Sequence, residues 1–501
     1  MVNRDCLRAY LYRDGFSDDF GYHFKTEANT LIKIDSESSL PVYVQIYRCI
    51  REDIVLGAYN SGDRLDSVRT AADNLNISKN TVARAYKQLS DEGYIENRPK
   101  SGYFVADLDD CLSRRALRSV PEEERPPDSR FIPPQKEKEF FWDFSYHKMD
   151  MELFAERKWA KCFSEALIGC DIADIGKYGD QKGIFALRSE ICRYLEYSRN
   201  IKCGPEQIII CSGVQDAAER ICRLVKPGCA AVECPTLPIW KTVFEDHGFD
   251  VRNINLYPDK HFSDGLYNSK AKLAVTTPSH QFPLGSAMPL KERLKIIDWA
   301  VKNDALIIED DYDCEYSYSS KPISAMYSLA LDDCVLYIGT FSKLLMPSLR
   351  LNYMVLPHRL MPEYERIYSS YPPGIPWITQ RALLYFFEYG YFMSQIRTCR
   401  KLMREKYFIL KKSCEEVFGG SAEIIGTDAG LHILLKIKNA SSDEKLIQMA
   451  GEYDVGVYSV SEYWLGESYP KNVVMLGFSY ISKDRIEEGI KQLGQAWKEY
   501  L

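Results

Sequence analysis

Two hydrophobic textures divide the chain. Between Pro41 and Ala106 apolar residues recur three or four apart: Val44, Ile46, Ile50 and Ile54; then Val68, Ala71, Ala72 and Leu75; then Val82, Tyr86 and Leu89. That spacing predicts three helices, the first ending at Gly57 and the third starting behind an N-cap at Ser78. "IENRPKSGYFV" follows and reads as two short strands around Pro99–Gly102. Three helices and a hairpin are the layout of a winged helix-turn-helix. From Phe140 the texture changes to short apolar runs, "QIIIC", "CAAVE", "LAVTT", "ALIIED" and "CVLYIGTF", several of them separated by helical patterns. Such alternation predicts an α/β body built on a largely parallel sheet covered on both faces. After about Ile375 long helices run through Lys411, and "AEIIG", "LHILLKI" and "VVMLGF" read as strands of a smaller lobe.

These textures set the expected organisation. Residues 1–30 fit no motif and are an extension of unassigned role; 31–107 form the winged helix; 108–139 are a linker; 140–501 are the large body, with its small lobe at about 376–501. The linker holds "PEEERPPDSRFIPPQKEKE", too rich in proline and charge to build a core. A chain of 501 residues needs more than one core in any case.

Composition narrows the class. With 46 % hydrophobic and 27 % charged residues the protein is globular, and a net charge of -7 excludes a chain coated in positive charge. It leaves room for a local nucleic-acid footprint. The fifteen cysteines form no CxxC pair, "MVNRDCLRAYLYRDGF" has no apolar core of signal-peptide length, and no run approaches ~18 apolar residues. A cytoplasmic protein with reduced thiols and no membrane span is expected.

Charge is informative inside the small module. Across Pro41–Val105 nine bases (Arg48, Arg51, Arg64, Arg69, Lys79, Arg84, Lys87, Arg98, Lys100) face eight acids (Glu52, Asp53, Asp63, Asp66, Asp73, Asp91, Glu92, Glu96), a balance of +1. Ser78–Ser90 carries three of the bases and no acid. Its N-terminal half, with Lys79, Asn80, Thr81 and Arg84, is placed to contact base edges and phosphates, and Arg98, Lys100 and Ser101 at the hairpin tip to lie against the backbone. The full sequence of this module resembles the GntR-type winged-helix domain. Arg69, Asn80, Thr81, Arg84 and Gly102 stand where that pattern expects them, whereas Asp66 replaces a proline and Lys79 an arginine. Lys79 keeps the charge but loses the bidentate fork.

Four segments of the body carry candidate chemistry. In "IICSGVQDAAERICRLV" a strand ends at Cys211, and Ser212, Gly213 and Val214 open a helix whose N–H groups suit a phosphate. In "ALIIEDDYDCEY" a strand continued through the acids would turn Asp310 and Tyr312 to one face, fit for a pyridinium nitrogen and a ring hydroxyl. The alternatives there are an acidic loop or a metal site from Glu309, Asp310, Asp311 and Asp313; without neighbouring histidines no metal is expected. In "GTFSKLLMPSLR" Lys343 sits among small and apolar residues, where a desolvated amine loses its proton more easily. Thr340, Ser342 and Arg350 would hold a phosphate beside it. "TTPSHQFPLG" is a Pro/Gly loop after a strand, suited to line a pocket.

Together these segments resemble the fold-type I, aminotransferase-like body that binds pyridoxal 5'-phosphate. The resemblance implies Lys343 as the internal-aldimine lysine, Asp310 on the pyridine nitrogen, Tyr312 on the ring oxygen and Arg350 on the phosphate. A GntR-type winged helix, a linker and such a body, in this order, resemble the MocR type of bacterial transcription regulator. That implies a domain-crossed homodimer on double-stranded operator DNA, responding to the cofactor or to an amino compound. An active aminotransferase with an added DNA-binding arm, and a degenerate body serving only dimerisation, are the other readings. Three departures stand out. Leu237 and Ile239 occupy positions where an aromatic and a ligand-binding arginine are found in relatives, and Asn352 replaces a glycine. No arginine lies between Arg404 and Arg485, so the small-lobe arginine that forks a substrate carboxylate is missing; Lys436, Lys438, a tyrosine, or Arg397 or Arg400 would have to replace it.

Overall fold

The computed structural model describes residues 40–107 except 56, together with 34, 35 and 38, and residues 138–501 except 152–153, 170–175, 259, 319–323 and 427–428. The expected extension and residues 108–137 of the expected linker lie outside the described residues. The chain divides into two compact units at Lys136 and Glu137.

In the first unit α1 (Val42–Val55), α2 (Val68–Asn74) and α3 (Lys79–Asp91) precede the hairpin β1 (Ile95–Arg98) and β2 (Gly102–Val105), paired from Ile95↔Val105 to Arg98↔Gly102. Ile46, Ile50, Ile54, Ala71, Ala72, Val82, Tyr86 and Leu89 form its core, as the helical spacing requires. The Ser67 and Ser78 hydroxyls accept from the N–H groups of Thr70 (3.1 Å) and Thr81 (3.2 Å), caps that contribute about 1 kcal/mol each. α1 ends two residues before Gly57. Tyr47, absent from the apolar pattern, is buried and donates to Glu92 at 2.5 Å, tying α1 to the end of α3.

The second unit holds a seven-stranded sheet. Its strands are β4 (Ile208–Cys211), β5 (Cys229–Cys234), β6 (Asp250–Asn255), β7 (Leu273–Thr276), β8 (Leu306–Asp311), β9 (Val335–Thr340) and β10 (Asn352–Val355), in the order β4-β10-β9-β8-β7-β5-β6. All pairings are parallel except those of β10, which runs against both neighbours. Along β8, Ile307 packs into one core cluster and Ile308 into the other. Both faces are therefore covered, which is why these strands read as continuous apolar runs.

The smaller sheet has the order β11 (Ala422–Ile425), β12 (His432–Ile437), β15 (Val473–Gly477), β14 (Tyr458–Ser459). The start of the body joins this lobe: β3 (Trp142–Asp143) pairs in parallel with β13 (Val455–Gly456). Gly477 permits the crossing, since a Cβ there would lie 2.5 Å from the Tyr146 nitrogen. That path delivers Tyr146 to the site described next.

Candidate functional site

Strand alternation at the end of β8 separates three acids. Glu309 accepts from the N–H groups of Met326 (2.8 Å) and Tyr327 (2.9 Å), and Asp311 from Arg199 (2.8 Å) and Tyr337 (2.6 Å). Asp310 points the other way and accepts from the Trp240 indole N–H at 2.9 Å. Asp313 faces His280 at 2.9 Å. Each acid thus has its own protein partner, and among the described residues no group of three or more His, Cys, Asp and Glu could hold a metal. Burial raises the Asp310 carboxyl to about 7 against the pull of Trp240. β8 ends one residue before Tyr312, so alternation alone does not place that phenol. His280 does, its Nδ1 lying 2.8 Å from the Tyr312 hydroxyl.

A folded-state pKa raised above the unfolded one contributes stability at low pH that is lost as pH rises through it. Asp310 should therefore cost the cofactor-free chain about 1 kcal/mol between pH 6 and 8. Asp310→Asn should flatten the fall in melting temperature across that interval, which thermal unfolding at the two pH values would measure.

Lys343 lies in the turn after β9, its backbone carbonyl accepting from the Tyr316 hydroxyl at 2.8 Å. Its Nζ stands 3.8 Å from the centre of the Tyr146 ring and 3.4 Å from the Tyr146 carbonyl oxygen. Burial lowers the amine to about 8, with Asp313 pulling weakly upward. The Tyr146 ring in turn lies 5.3 Å from Phe282 and 5.0 Å from His432, and Phe282 lies 5.6 Å from Tyr312. A run of ring contacts therefore links Lys343 through Tyr146 and Phe282 to Tyr312 and His280. Tyr146, Trp240, His280 and His432 were not singled out by sequence. A lone histidine in the apolar strand "LHILLKI" was the one local sign of His432. Its Nε2 donates to the Pro283 carbonyl at 2.9 Å, and its buried Nδ1 has no protein partner. Burial, followed by the nearby His280, holds this imidazole at about 3, so it is neutral at physiological pH and Nδ1 is a hydrogen-bond acceptor.

Arg350 and the first turn of the helix α4 (Gly213–Leu224), both expected to meet a phosphate, come together where β4 leads into that helix. Arg350, with φ +50°, rests on Gly213, with φ +83°; a Cβ on Gly213 would come within 2.4 Å of the guanidinium. The Ser212 N–H is already taken by Asp216 at 2.9 Å, which leaves those of Gly213 and Val214 in the first turn. The Thr340 hydroxyl accepts from the Ser342 N–H at 3.1 Å and so shapes the turn that carries Lys343. Asn352 stands opposite Thr340 in the ladder, on the same face. It is 1 % exposed, and neither polar atom of its amide has a protein partner.

In the first unit Lys79 and Asn80 open α3 and are exposed, with Thr81 half-buried beside them. Arg84 lies 3.9 Å over the Tyr43 ring and Arg98 4.6 Å over Phe104, while Arg69 stands 3.9 Å from Asp73. Lys100 (φ +64°) and Gly102 (φ +107°) shape the hairpin tip around Ser101. Arg64, not singled out before, bridges to Phe104 and brings its guanidinium beside Gly102.

Residues 42–105 match the gntR family of bacterial regulatory proteins, and residues 157–470 match aminotransferase class I and II. The HTH-type transcriptional regulator YdeL of Bacillus subtilis is 35 % identical over 466 residues, 92 % of this chain and 97 % of the relative. The probable rhizopine catabolism regulatory protein MocR of Rhizobium meliloti is 28 % identical over 494 residues, 93 % and 96 % of the two chains. The chain belongs to the MocR type of GntR-family transcription regulators. The aminotransferase-like fold of this MocR-type chain is also that of a kynurenine aminotransferase from Pyrococcus horikoshii, with a TM-score of 0.65 at 24 % identity over 73 % of this chain and 92 % of the other.

Three of the groups named to replace the small-lobe carboxylate clamp of this MocR-type body lie as follows. Lys436, four residues along β12 from His432, pairs with Glu423 at 3.8 Å. Arg397 is exposed, and Arg400 donates through Nε to the Ser317 carbonyl at 2.9 Å. Among the described residues no helix is long and apolar enough to cross a membrane.

Proposed function

We propose that this protein is a DNA-binding transcription regulator whose large body holds pyridoxal 5'-phosphate and senses an amino compound at Lys343. One observation carries the reading: the Lys343 amine, which burial lowers to about 8, stands 3.8 Å from the centre of the Tyr146 ring, at one end of a run of aromatic contacts that reaches Tyr312 and His280 through Phe282, on a chain that also bears a winged helix. The residues fit the cofactor. Arg350, the N–H groups of Gly213 and Val214, and Ser342 would take its phosphate. Asp310 keeps one carboxylate oxygen for the pyridine nitrogen while Trp240 holds the other. Tyr312, steadied by His280, would face the ring oxygen. When bound, the cofactor supplies an aldehyde that captures amines and a ring that withdraws electrons.

The protein's own part is to position and to tune. Burial keeps a fraction of Lys343 unprotonated near neutral pH, so the amine is nucleophilic without a separate base. Tyr146 covers that amine and excludes water from one side. Asp310 would be ionised beside a cationic ring and would hold the proton on the ring nitrogen. Two copies acting on paired half-sites in the cytoplasm of a bacterium complete the reading, and an amino compound regulates only if it binds two arrangements of the protein unequally.

The test is the visible spectrum of the protein loaded with pyridoxal 5'-phosphate, before and after a panel of amines and amino acids, with operator binding followed in parallel. A band that shifts and persists, with altered DNA affinity and no keto product, is expected. Steady release of keto product would make the chain an active aminotransferase with a DNA-binding arm.

A further inference from the structure

We infer that Cys192 and Cys203 form a dithiol that hydroperoxides convert reversibly to a disulfide. The two Sγ atoms lie 3.6 Å apart, in direct contact. Both residues are half-buried, so a small oxidant can reach them. Closing the bond needs an approach to about 2.05 Å, well within side-chain rotation and a small loop shift.

Local structure keeps the sulfurs together. Cys192 lies inside the helix Phe185–Arg199, which ends in left-handed Asn200 with φ 58°. The returning chain is pinned on both sides of Cys203. Ile201 N–H donates to the Leu195 carbonyl at 3.2 Å, and Gly204 N–H to the Gln207 side chain at 3.0 Å. Gln207 also donates to the Leu356 carbonyl at 2.8 Å and the Tyr327 hydroxyl at 3.0 Å. Such a loop has little room to carry Cys203 away from its partner. It leads directly into β4 and so to Gly213.

The two thiols are not equivalent. Cys203 donates its S–H to Cys192, which lowers the Cys192 thiol, with burial and Glu206 opposing and Arg188 assisting; the same contact raises Cys203. Cys192 is thus the attacking thiolate. It displaces water or an alcohol from the peroxide oxygen and becomes a sulfenic acid. The Cys203 sulfur then attacks the Cys192 sulfur, the S–O bond breaks, and the hydroxyl leaves as water with the Cys203 proton. Two electrons pass from the thiols to the peroxide, and a dithiol reductant reverses the change.

The full-length protein would be treated with hydrogen peroxide, alkylated, and digested with trypsin without reduction. A linked species joining Ser189–Arg193 to Cys203–Arg220, bonded through Cys203 with Cys211 of the second peptide carrying the alkyl group, and lost on dithiothreitol treatment, is expected. In Cys203→Ser the Cys192 sulfenic acid should accumulate and be trapped by dimedone; in Cys192→Ser, Cys203 should stay an alkylatable thiol. Oxidation of other cysteines without this link would overturn the inference, and so would dimedone capture at Cys203 in the Cys192→Ser chain. The link is read in the unmutated protein, so a variant that folds poorly does not remove the test.

Discussion

Replacing Lys343 by alanine should abolish the amine-dependent spectral change and raise the dissociation constant of pyridoxal 5'-phosphate by about 100-fold or more. Arg350 and Gly213, proposed to hold the phosphate, are untouched by the substitution, so weak, non-covalent binding should remain. The same variant should also be the more heat-stable of the two cofactor-free chains near pH 7. Burial lowers the amine from 10.5 to about 8, so below pH 8 the charged form costs the fold at most about 3 kcal/mol, part of it offset by lost methylene packing. Here the folded pKa of a base is depressed. The penalty is therefore full below about 8, fades between 8 and 10.5, and vanishes above the unfolded value. Thermal unfolding of the cofactor-free pair at pH 7 and at pH 10.5 would check the sign. A variant less stable than the parent at both values would mean that Lys343 is held by contacts that outweigh its desolvation, and that the amine is not poised for chemistry. Loss of the spectral change together with loss of the effector response would tie sensing to this one nitrogen.

What sequence shows of this protein depends on how far apart the partners lie along the chain. The winged helix was legible because its core is built from local spacing: Val82, Tyr86 and Leu89 lie within one helix, and the Ser78 cap acts three residues away. The central strands were legible because both of their faces are buried. Edge strand β6 exposes every second or third residue and was missed. Four-residue β10, placed antiparallel between β4 and β9, was missed as well. Lys343, Asp310 and Arg350 carried local signs of their own. The groups that set their behaviour did not. Tyr146 is 197 positions from Lys343, and Trp240 is 70 from Asp310. No spacing rule links such residues; only the return of β3 across Gly477 and the packing of the helix Pro238–Asp246 on the sheet bring them in. Tyr312 marks the boundary between the two kinds. A strand read as continuing through it would have fixed its direction, but β8 stops at Asp311 and a histidine from another loop takes over.

Changing Lys79 and Lys100 together to alanine should weaken operator binding about 10- to 100-fold at physiological salt and leave folding nearly unchanged. Both side chains are exposed and have no ionic partner among the described residues, so their loss should move stability by no more than about 0.5 kcal/mol. Lys79 opens α3 and Lys100 shapes the hairpin tip, one at each expected contact with the duplex. If both meet phosphates, the slope of log affinity against log salt should fall by about 1.8, roughly 0.9 per contact removed. Arg84→Ala is the informative contrast. Its guanidinium packs over Tyr43, so that variant should lose some stability along with affinity, through a cation–π contact worth about 0.5–1 kcal/mol. Filter binding across a salt series, on operator and on unrelated duplex, separates the roles. A Lys79 effect confined to operator, with the slope unchanged, would place that ammonium on a base edge. A double variant that binds operator as the parent does, at every salt concentration, would take α3 and the hairpin tip off the DNA.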